Sequence, residues 1–286
     1  MSLNKSTNTL NFRGRVLSIE RPVVMGILNV TPDSFFAGSR MKNVEELMRK
    51  AEKMVQEGAD ILDIGAQSTR PGAEKLSPET ELQRLIEPLK LIRKEIPNCI
   101  ISVDTYHASI AREAVECGAD MINDVSGGTM DARMFETVAT SRVPYVLMHI
   151  KGEPSTMHHN PIYEDIVSEV VTYFSEKIHQ LRSLGVNDII LDLGFGFGKT
   201  VAHNLQLMNG IDRLKIFGLP VMVGISRKKT IQHILGVTTD EALNGTTVLN
   251  TIALMNGAQI LRVHDVAAAV EVVKMISALN ENQPPG

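Results

Sequence analysis

Eight short apolar runs, rich in Val and Ile and separated by helix-length stretches, constrain this chain more than any other feature. The runs are Val23–Val30, Ala59–Ala66, Ile100–Thr105, Met121–Val125, Pro144–Ile150, Ile189–Leu193, Pro220–Ile225 and Gln259–Val263. Runs this brief and this β-branched read as parallel strands buried on both faces. Between them, apolar residues return at three- and four-residue spacing. In Val44–Gln56 the set Val44, Leu47, Met48, Ala51, Met54 and Val55 forms one helical stripe. Glu79–Glu95, Ser109–Glu116, Arg133–Ala139, Tyr163–Leu184, Asn204–Leu214 and Val266–Leu279 follow the same rule. After the seventh run two helices are expected, Lys228–Leu235 and Asp240–Asn256. Several helices end in Gly plus a small residue, as in Glu57-Gly58-Ala59, Cys117-Gly118-Ala119 and Asn256-Gly257-Ala258, which suits a left-handed cap.

Eight strand-then-helix units within 286 residues predict one α/β domain, a closed (β/α)₈ TIM barrel, with a doubly wound open sheet as the alternative. Residues 1–21 read as an N-terminal extension, 22–280 as the barrel and 281–286 as a loose tail. Within the extension, Asn11–Ile19 alternates apolar and polar residues and is expected to form a small hairpin closing the barrel's bottom.

A net charge of -4, with no block of like charge, argues against nucleic acid or an anionic membrane as partner. No run approaches the roughly 18 apolar residues of a membrane helix, and the start lacks the apolar core of a secretory signal. Cys99 and Cys117 stand alone without metal-ligand spacing, which fits a reduced, cytoplasmic protein.

In a TIM barrel, chemistry sits where strands end and the following loops begin. Nearly every strand carries a polar group there. In order these are Asn29; Asp63, with Gln67-Ser68-Thr69-Arg70 after it; Asp104; Asn123 and Asp124; His149; Asp192; Ser226, Arg227 and Lys228; then Arg262 and His264. Helix capping accounts for Asn, Asp or Ser taken singly, but Arg, Lys and His do not cap helix starts. The whole set therefore reads as a polar cavity.

Ser226-Arg227-Lys228 opens a helix and Arg262-Val263-His264 ends the last strand, at the two loops that commonly bind phosphate in this fold. A diphosphate or a carboxylate fits them. Asp104, Asn123 and Asp192 suit a flat heterocycle with amidine-like N–H groups. Paired carboxylates also serve as acid and base in glycosidases, but that leaves the basic set unexplained. Gly194-Phe195-Gly196-Phe197-Gly198-Lys199-Thr200 ends in Gly-Lys-Thr without a P-loop's spacing, because Leu193 stands where the first Gly belongs. It reads as a loop whose Phe lines a pocket. His158-His159 lacks zinc-site spacing and reads as surface loop.

The motifs carry a resemblance. Met25-Gly26-Ile27-Leu28-Asn29-Val30-Thr31-Pro32-Asp33-Ser34-Phe35 and Asp63-Ile64-Gly65-Ala66-Gln67-Ser68-Thr69-Arg70-Pro71-Gly72 resemble the first two signatures of the dihydropteroate synthases, a pterin-binding family. Ser102-Val103-Asp104-Thr105, Ile122-Asn123-Asp124-Val125-Ser126, Asp192-Leu193-Gly194-Phe195-Gly196-Phe197, the Ser-Arg-Lys segment and Arg262-Val263-His264 follow in the family's order.

The resemblance implies a transferase that condenses a dihydropterin diphosphate with 4-aminobenzoate, using Mg²⁺, as a cytoplasmic homodimer. By its pattern Asp104, Asn123, Asp192 and Lys228 hold the pterin, with Met148 against its face. Asn29 contacts Mg²⁺ and, with Thr69, Arg262 and His264, the diphosphate. Phe35, Arg70, Pro71, Phe197, Lys228 and Lys229 surround 4-aminobenzoate. The catalytic set it implies is Asn29, Thr69, Arg70, Asp104, Lys228, Arg262 and His264.

Two departures stand out. Phe36-Ala37-Gly38-Ser39 replaces the family's usual Ser-Asp-Gly-Gly, removing a loop carboxylate, and Lys229 stands where Ser is common. A non-catalytic pterin-binding paralogue and a methyltetrahydrofolate methyltransferase are the alternative readings. The methyltransferase needs no diphosphate site.

Overall fold

A computed structural model describes residues 9–30, 40–67, 76–152 and 161–282. Eight parallel strands close into a barrel: β3 (Val23–Asn29), β4 (Ile61–Gly65), β5 (Ile100–Asp104), β6 (Met121–Asp124), β7 (Tyr145–Met148), β8 (Ile189–Asp192), β9 (Val221–Val223) and β10 (Ile260–Val263). They pair in sequence order, and β10 returns to β3 to complete the ring. The expected TIM barrel is therefore the fold, and the open sheet is excluded.

Helices follow each strand on the outside: α1 (Arg40–Gln56), α2 (Pro78–Glu95), α3 (Ala108–Glu116), α4 (Met134–Ser141), α5 (Ile166–Ser183), α6 (Val201–Asn209), α7 (Lys229–Leu235), α8 (Leu243–Met255) and α9 (Val266–Glu281). The two helices expected between the seventh and eighth barrel strands are α7 and α8. The expected single helix Asn204–Leu214 is instead broken at Gly210, and a 3₁₀ turn covers Ile211–Phe217. A side chain at Gly210 would press on Val167 of α5, so only Gly lets the chain pass there. The three repeated Gly caps all take positive φ, at 102°, 110° and 103°, as that motif requires.

Below the barrel, β1 (Thr9–Phe12) and β2 (Arg15–Ser18) form the expected antiparallel hairpin, turned by Arg13 and Gly14, both at positive φ. Leu10 and Phe12 project from it into an apolar cluster with Val23, Met25, Ile61, Met121, Val146, Ile190, Met222 and Ile260. These are the inward positions at the strands' N-terminal ends. A second and larger cluster fills the layer between barrel and helices, with Leu62, Ile64, Val103, Tyr145 and Leu191 as its strand contributions. Successive strand residues face opposite sides, so the inward series runs two residues at a time from the bottom cluster to the mouth.

Candidate active site

Strand parity decides which polar groups reach the cavity. Counting by two from Ile61 leads to Asp63, from Ile100 to Ser102 and Asp104, from Met121 to Asn123, from Val146 to Met148, from Ile190 to Asp192, and from Ile260 to Arg262. Asp124 and His149 have the opposite parity. Asp124 turns away, accepting from Ser126 N at 2.7 Å, Gly128 N at 2.8 Å and the Tyr145 hydroxyl at 2.7 Å, and so organises the loop after β6. His149 packs edge-on against Tyr173 of α5, with centroids 4.8 Å apart, and burial drops its imidazole to about 2. Both correct the expectation that every strand-end polar group lines the cavity.

Arg262 stands at the centre of the inward set. Its Nε donates to Asp63 Oδ2 at 2.7 Å, with Nη2 equally close, and Nη2 donates to Asp104 Oδ2 at 2.8 Å. Burial works against the guanidinium charge, but Asp63 and then Asp104 outweigh it and hold Arg262 firmly protonated. The sequence pattern grouped Arg262 with His264 facing an anion. In the structure two of its nitrogens turn inward to carboxylates, and Nη1 is left without a partner among the described residues. Asp104 and Asn123 sit side by side in register, and Asn123 Nδ2 donates to Asp63 Oδ2 at 3.0 Å. Burial pushes Asp104 upward, to about 8, against the pull of Arg262. Asp192 is raised for the same first reason, opposed by Lys228.

Lys228 enters from the loop before α7. Its ammonium donates to the Phe195 carbonyl and lies 4.6 Å from the Phe197 ring centroid, a cation–π distance. Burial lowers it to about 8, although the Asp192 charge resists. Met148 and Phe197 form one apolar wall with Tyr106, Val125 and Ile150. A planar ring edged by Asp104, Asn123, Asp192 and Lys228 would rest against that wall.

At the rim, Ser226 Oγ accepts from the His264 backbone N–H at 3.2 Å and lies 3.1 Å from His264 Nδ1. Either the serine hydroxyl or Nδ1–H can donate across that second contact, according to the imidazole tautomer, and the ring is held by its Nδ1 edge. Desolvation, then the Arg262 charge, brings this imidazole down to about 4, so it is neutral at neutral pH. Arg227 is turned away from the cavity. At φ 55° it binds Asp265 through Nε at 2.7 Å and Nη2 at 2.9 Å, bracing the loop from outside. Asn29 is exposed at the open end of β3, and Lys229 is exposed at the start of α7. Phe35, Thr69, Arg70, Pro71, Ala37 and the pair His158-His159 lie outside the described residues.

The Gly-rich loop after β8 has a steric reason. A Cβ on Gly194 would stand 2.0 Å from the His149 carbonyl, and one on Gly198 would stand 2.5 Å from that of Lys151. Lys199, which the sequence reading left without a role, fastens this close approach. Its buried ammonium donates to the carbonyls of His149 at 3.2 Å, Gly194 at 3.0 Å and Phe197 at 2.9 Å. The Gly-Lys-Thr run thus binds backbone oxygens of its own chain. Asp63 is the other residue given no role from sequence. Its parity with Ile61 was the available signal.

Comparison with known proteins agrees with this geometry. A family model described as pterin binding enzyme matches residues 25–264. A dihydropteroate synthase of Synechocystis sp. is 43% identical over 263 residues, covering 91% of this chain and 91% of that protein. A dihydropteroate synthase of Xanthomonas albilineans solved with 4-aminobenzoic acid superposes with a TM-score of 0.89 at 39% identity, covering 98% of this chain and 100% of the other. The same enzyme in complex with 7,8-dihydropteroate superposes at 0.83 and 35% identity, covering 96% and 99%.

Proposed function

This chain belongs to the dihydropteroate synthases of the pterin-binding enzyme family, and we propose that its mouth holds a dihydropterin diphosphate deep in the barrel with 4-aminobenzoate above it. It is a transferase of folate synthesis that joins the two to give 7,8-dihydropteroate and diphosphate. One observation carries the substrate assignment. An acceptor–donor shell of Asp104, Asn123, Asp192 and Lys228 backs onto an apolar wall and lies within electrostatic reach of the His264 rim.

The chain's own groups divide the work. Asp104, Asn123, Asp192 and Lys228 hold the ring by its polar edge, and Met148 supports its face. The His264 ring and Arg262 Nη1, which has no partner among the described residues, would face the diphosphate, together with Asn29 and Thr69. Cleavage of the methylene C–O bond sends the electron pair out with diphosphate and leaves positive charge spread over the ring. Asp104 and Asp192, whose charge burial disfavours, are stabilised by that ring charge. The arylamine nitrogen bonds to the methylene carbon and loses one proton, which the departing diphosphate takes up. Phe197 and Lys228 approach the arylamine ring from below, and Lys229, exposed at the start of α7, would meet its carboxylate. The resemblance also assigns Phe35, Arg70 and Pro71 to this ring, and exclusion of water there would protect the cation.

Mg²⁺ suits the donor chemistry, because Asn29 offers a hard oxygen at the open rim and such a cation usually completes its shell with substrate phosphates and water. Asn29, together with the diphosphate oxygens, would hold the ion. When bound it supplies electrophilic stabilisation of the leaving group.

A homodimer is proposed through the outer helices, where Ile234, Leu235, Val248, Met255 and Met275 are exposed, and sedimentation tests it. A cytoplasmic setting is supported by the two unpaired cysteines. No described helix is long and apolar enough to cross a membrane.

The deciding experiment follows diphosphate release from dihydropterin diphosphate with Mg²⁺, with and without 4-aminobenzoate. Release that depends on the arylamine and yields dihydropteroate is the expected result. Folded protein that binds pterin and releases nothing would mark a binding paralogue instead.

A further inference from the structure

We propose that Asp63 is a positioning residue that determines heterocycle specificity, by fixing which atoms of Asn123 and Arg262 are presented to the ligand. The inference rests on the dihydropterin reading above and assigns part of its recognition to a residue that does not itself need to touch the ring.

Asp63 is fully buried on the inward face of β4 and pairs in register with Ser102, two residues below the level of Asp104. An ionised carboxylate only accepts hydrogen bonds. A single oxygen, Oδ2, takes the Asn123 amide at 3.0 Å and the Arg262 Nε at 2.7 Å. An asparagine can offer a cavity either its NH₂ or its carbonyl, and the two ends are nearly equal in shape. With Asp63 beneath, the NH₂ must face the carboxylate, so the carbonyl is committed to the other direction. Asn123 Oδ1 is buried and has no partner. A buried, unpaired acceptor is a cost that an incoming N–H removes. Asn123 is thereby an acceptor for a ring N–H, and a ring presenting a lone pair at that place is rejected.

The same oxygen orients Arg262. With Nε on Asp63 and Nη2 on Asp104, the planar guanidinium cannot swing to the rim, and only Nη1 remains unbonded among the described residues. Asp63 thus separates two tasks. It keeps the cation between the carboxylates of the heterocycle site and limits how far it serves the anion.

Asp63→Asn in the full-length protein tests this. The probes are 6-hydroxymethyl-7,8-dihydropterin, which lacks the diphosphate, and inorganic diphosphate with Mg²⁺, each titrated by calorimetry. Heterocycle binding should weaken roughly tenfold, the size of one net hydrogen bond, with diphosphate binding unchanged or tighter. In an Asn123→Ala background the same change should cost much less, because the group it orients is gone. Equal heterocycle affinity in Asp63→Asn and the native protein, or fully additive effects of the two substitutions, overturns the proposal.

Should Asp63→Asn fail to fold, Asn123→Asp carries the test. Its carboxylate cannot donate to Asp63 and sets a second acceptor against it, so heterocycle binding should fall further than in Asn123→Ala. A loss no greater than that of Asn123→Ala overturns the inference by this route. Native protein that does not bind the dihydropterin at all would instead remove the functional reading on which it rests.

Discussion

The two ends of the barrel interior are built by the same strands and differ by two or four residues along each. At the bottom the inward positions are Met25, Ile61, Met121, Ile190 and Ile260, sealed by Phe12 of the hairpin. One or two steps of the same parity lead to Asn29, Asp63, Asn123, Asp192 and Arg262. The bottom is filled and dry, and its residues need only volume and apolarity. The mouth holds buried charge that is poorly satisfied until a ligand arrives, with Asp63 Oδ1, Ser102 Oγ and Asn123 Oδ1 all unpartnered. Stability is thus concentrated at one end and strain against solvation at the other, which lets the site be costly without unfolding the barrel.

The contrast breaks most sharply at Arg262. Arg262→Ala leaves Asp63 and Asp104 buried and facing each other without a cation. It should lower kcat/KM by about a hundredfold to a thousandfold and cost about 3–5 kcal/mol of stability. Steady-state rates and urea titration read both, and a normal rate would show that the ion network is not part of the chemistry. At the opposite end, Phe12→Ala should cost a similar 3–5 kcal/mol while leaving kcat per folded molecule unchanged. Loss of kcat in that variant at a temperature where it is folded would show that the two ends are coupled.

Lys199→Met sharpens the comparison within the mouth. Three carbonyls lose their common donor and Phe197 loses its support, so KM for 4-aminobenzoate should rise about tenfold with kcat little changed. An unchanged KM, or an equal loss in pterin affinity, would argue against a local role for the clamp.

The smallest expected effect is in pH. Lys228 is lowered to about 8 from an ordinary 10.5, so its charge is lost as pH rises through 8, and pterin binding should weaken along an alkaline limb there. Because its folded-state value lies below the unfolded one, the group opposes folding below about 8, and that opposition fades between 8 and 10.5. Lys228→Arg keeps its charge, so the limb should vanish from the kcat/KM profile.

Much of this was legible in the chain. Short β-branched apolar runs located all eight barrel strands, period-3.6 stripes located most of the helices between them, and the motifs and the resemblance brought Asp104, Asn123, Met148, Asp192, Lys228, Arg262 and His264 to one mouth. What misled was position without parity. Asp124 and His149 stand at strand ends like the others, yet alternation sends them outward to Tyr145 and Tyr173. Arg227 shared a basic triplet with Ser226 and Lys228, yet its positive φ aims it at Asp265. The crowding that a side chain at Gly210 would meet was hidden because Val167 on α5 lies far away in sequence.

By itself, then, the sequence determined the order of elements, the closed barrel and the residue types offered at its mouth, because local periodicity and turn chemistry act over a few residues. Tertiary structure alone decided the partners. That Asp63 of β4 holds Asn123 of β6 and Arg262 of β10, and that Lys199 binds a carbonyl fifty residues away, depends on closure bringing distant strands within 3 Å or so. Hydrogen bonds have that short reach, and spacing along the chain says nothing of which groups will come within it.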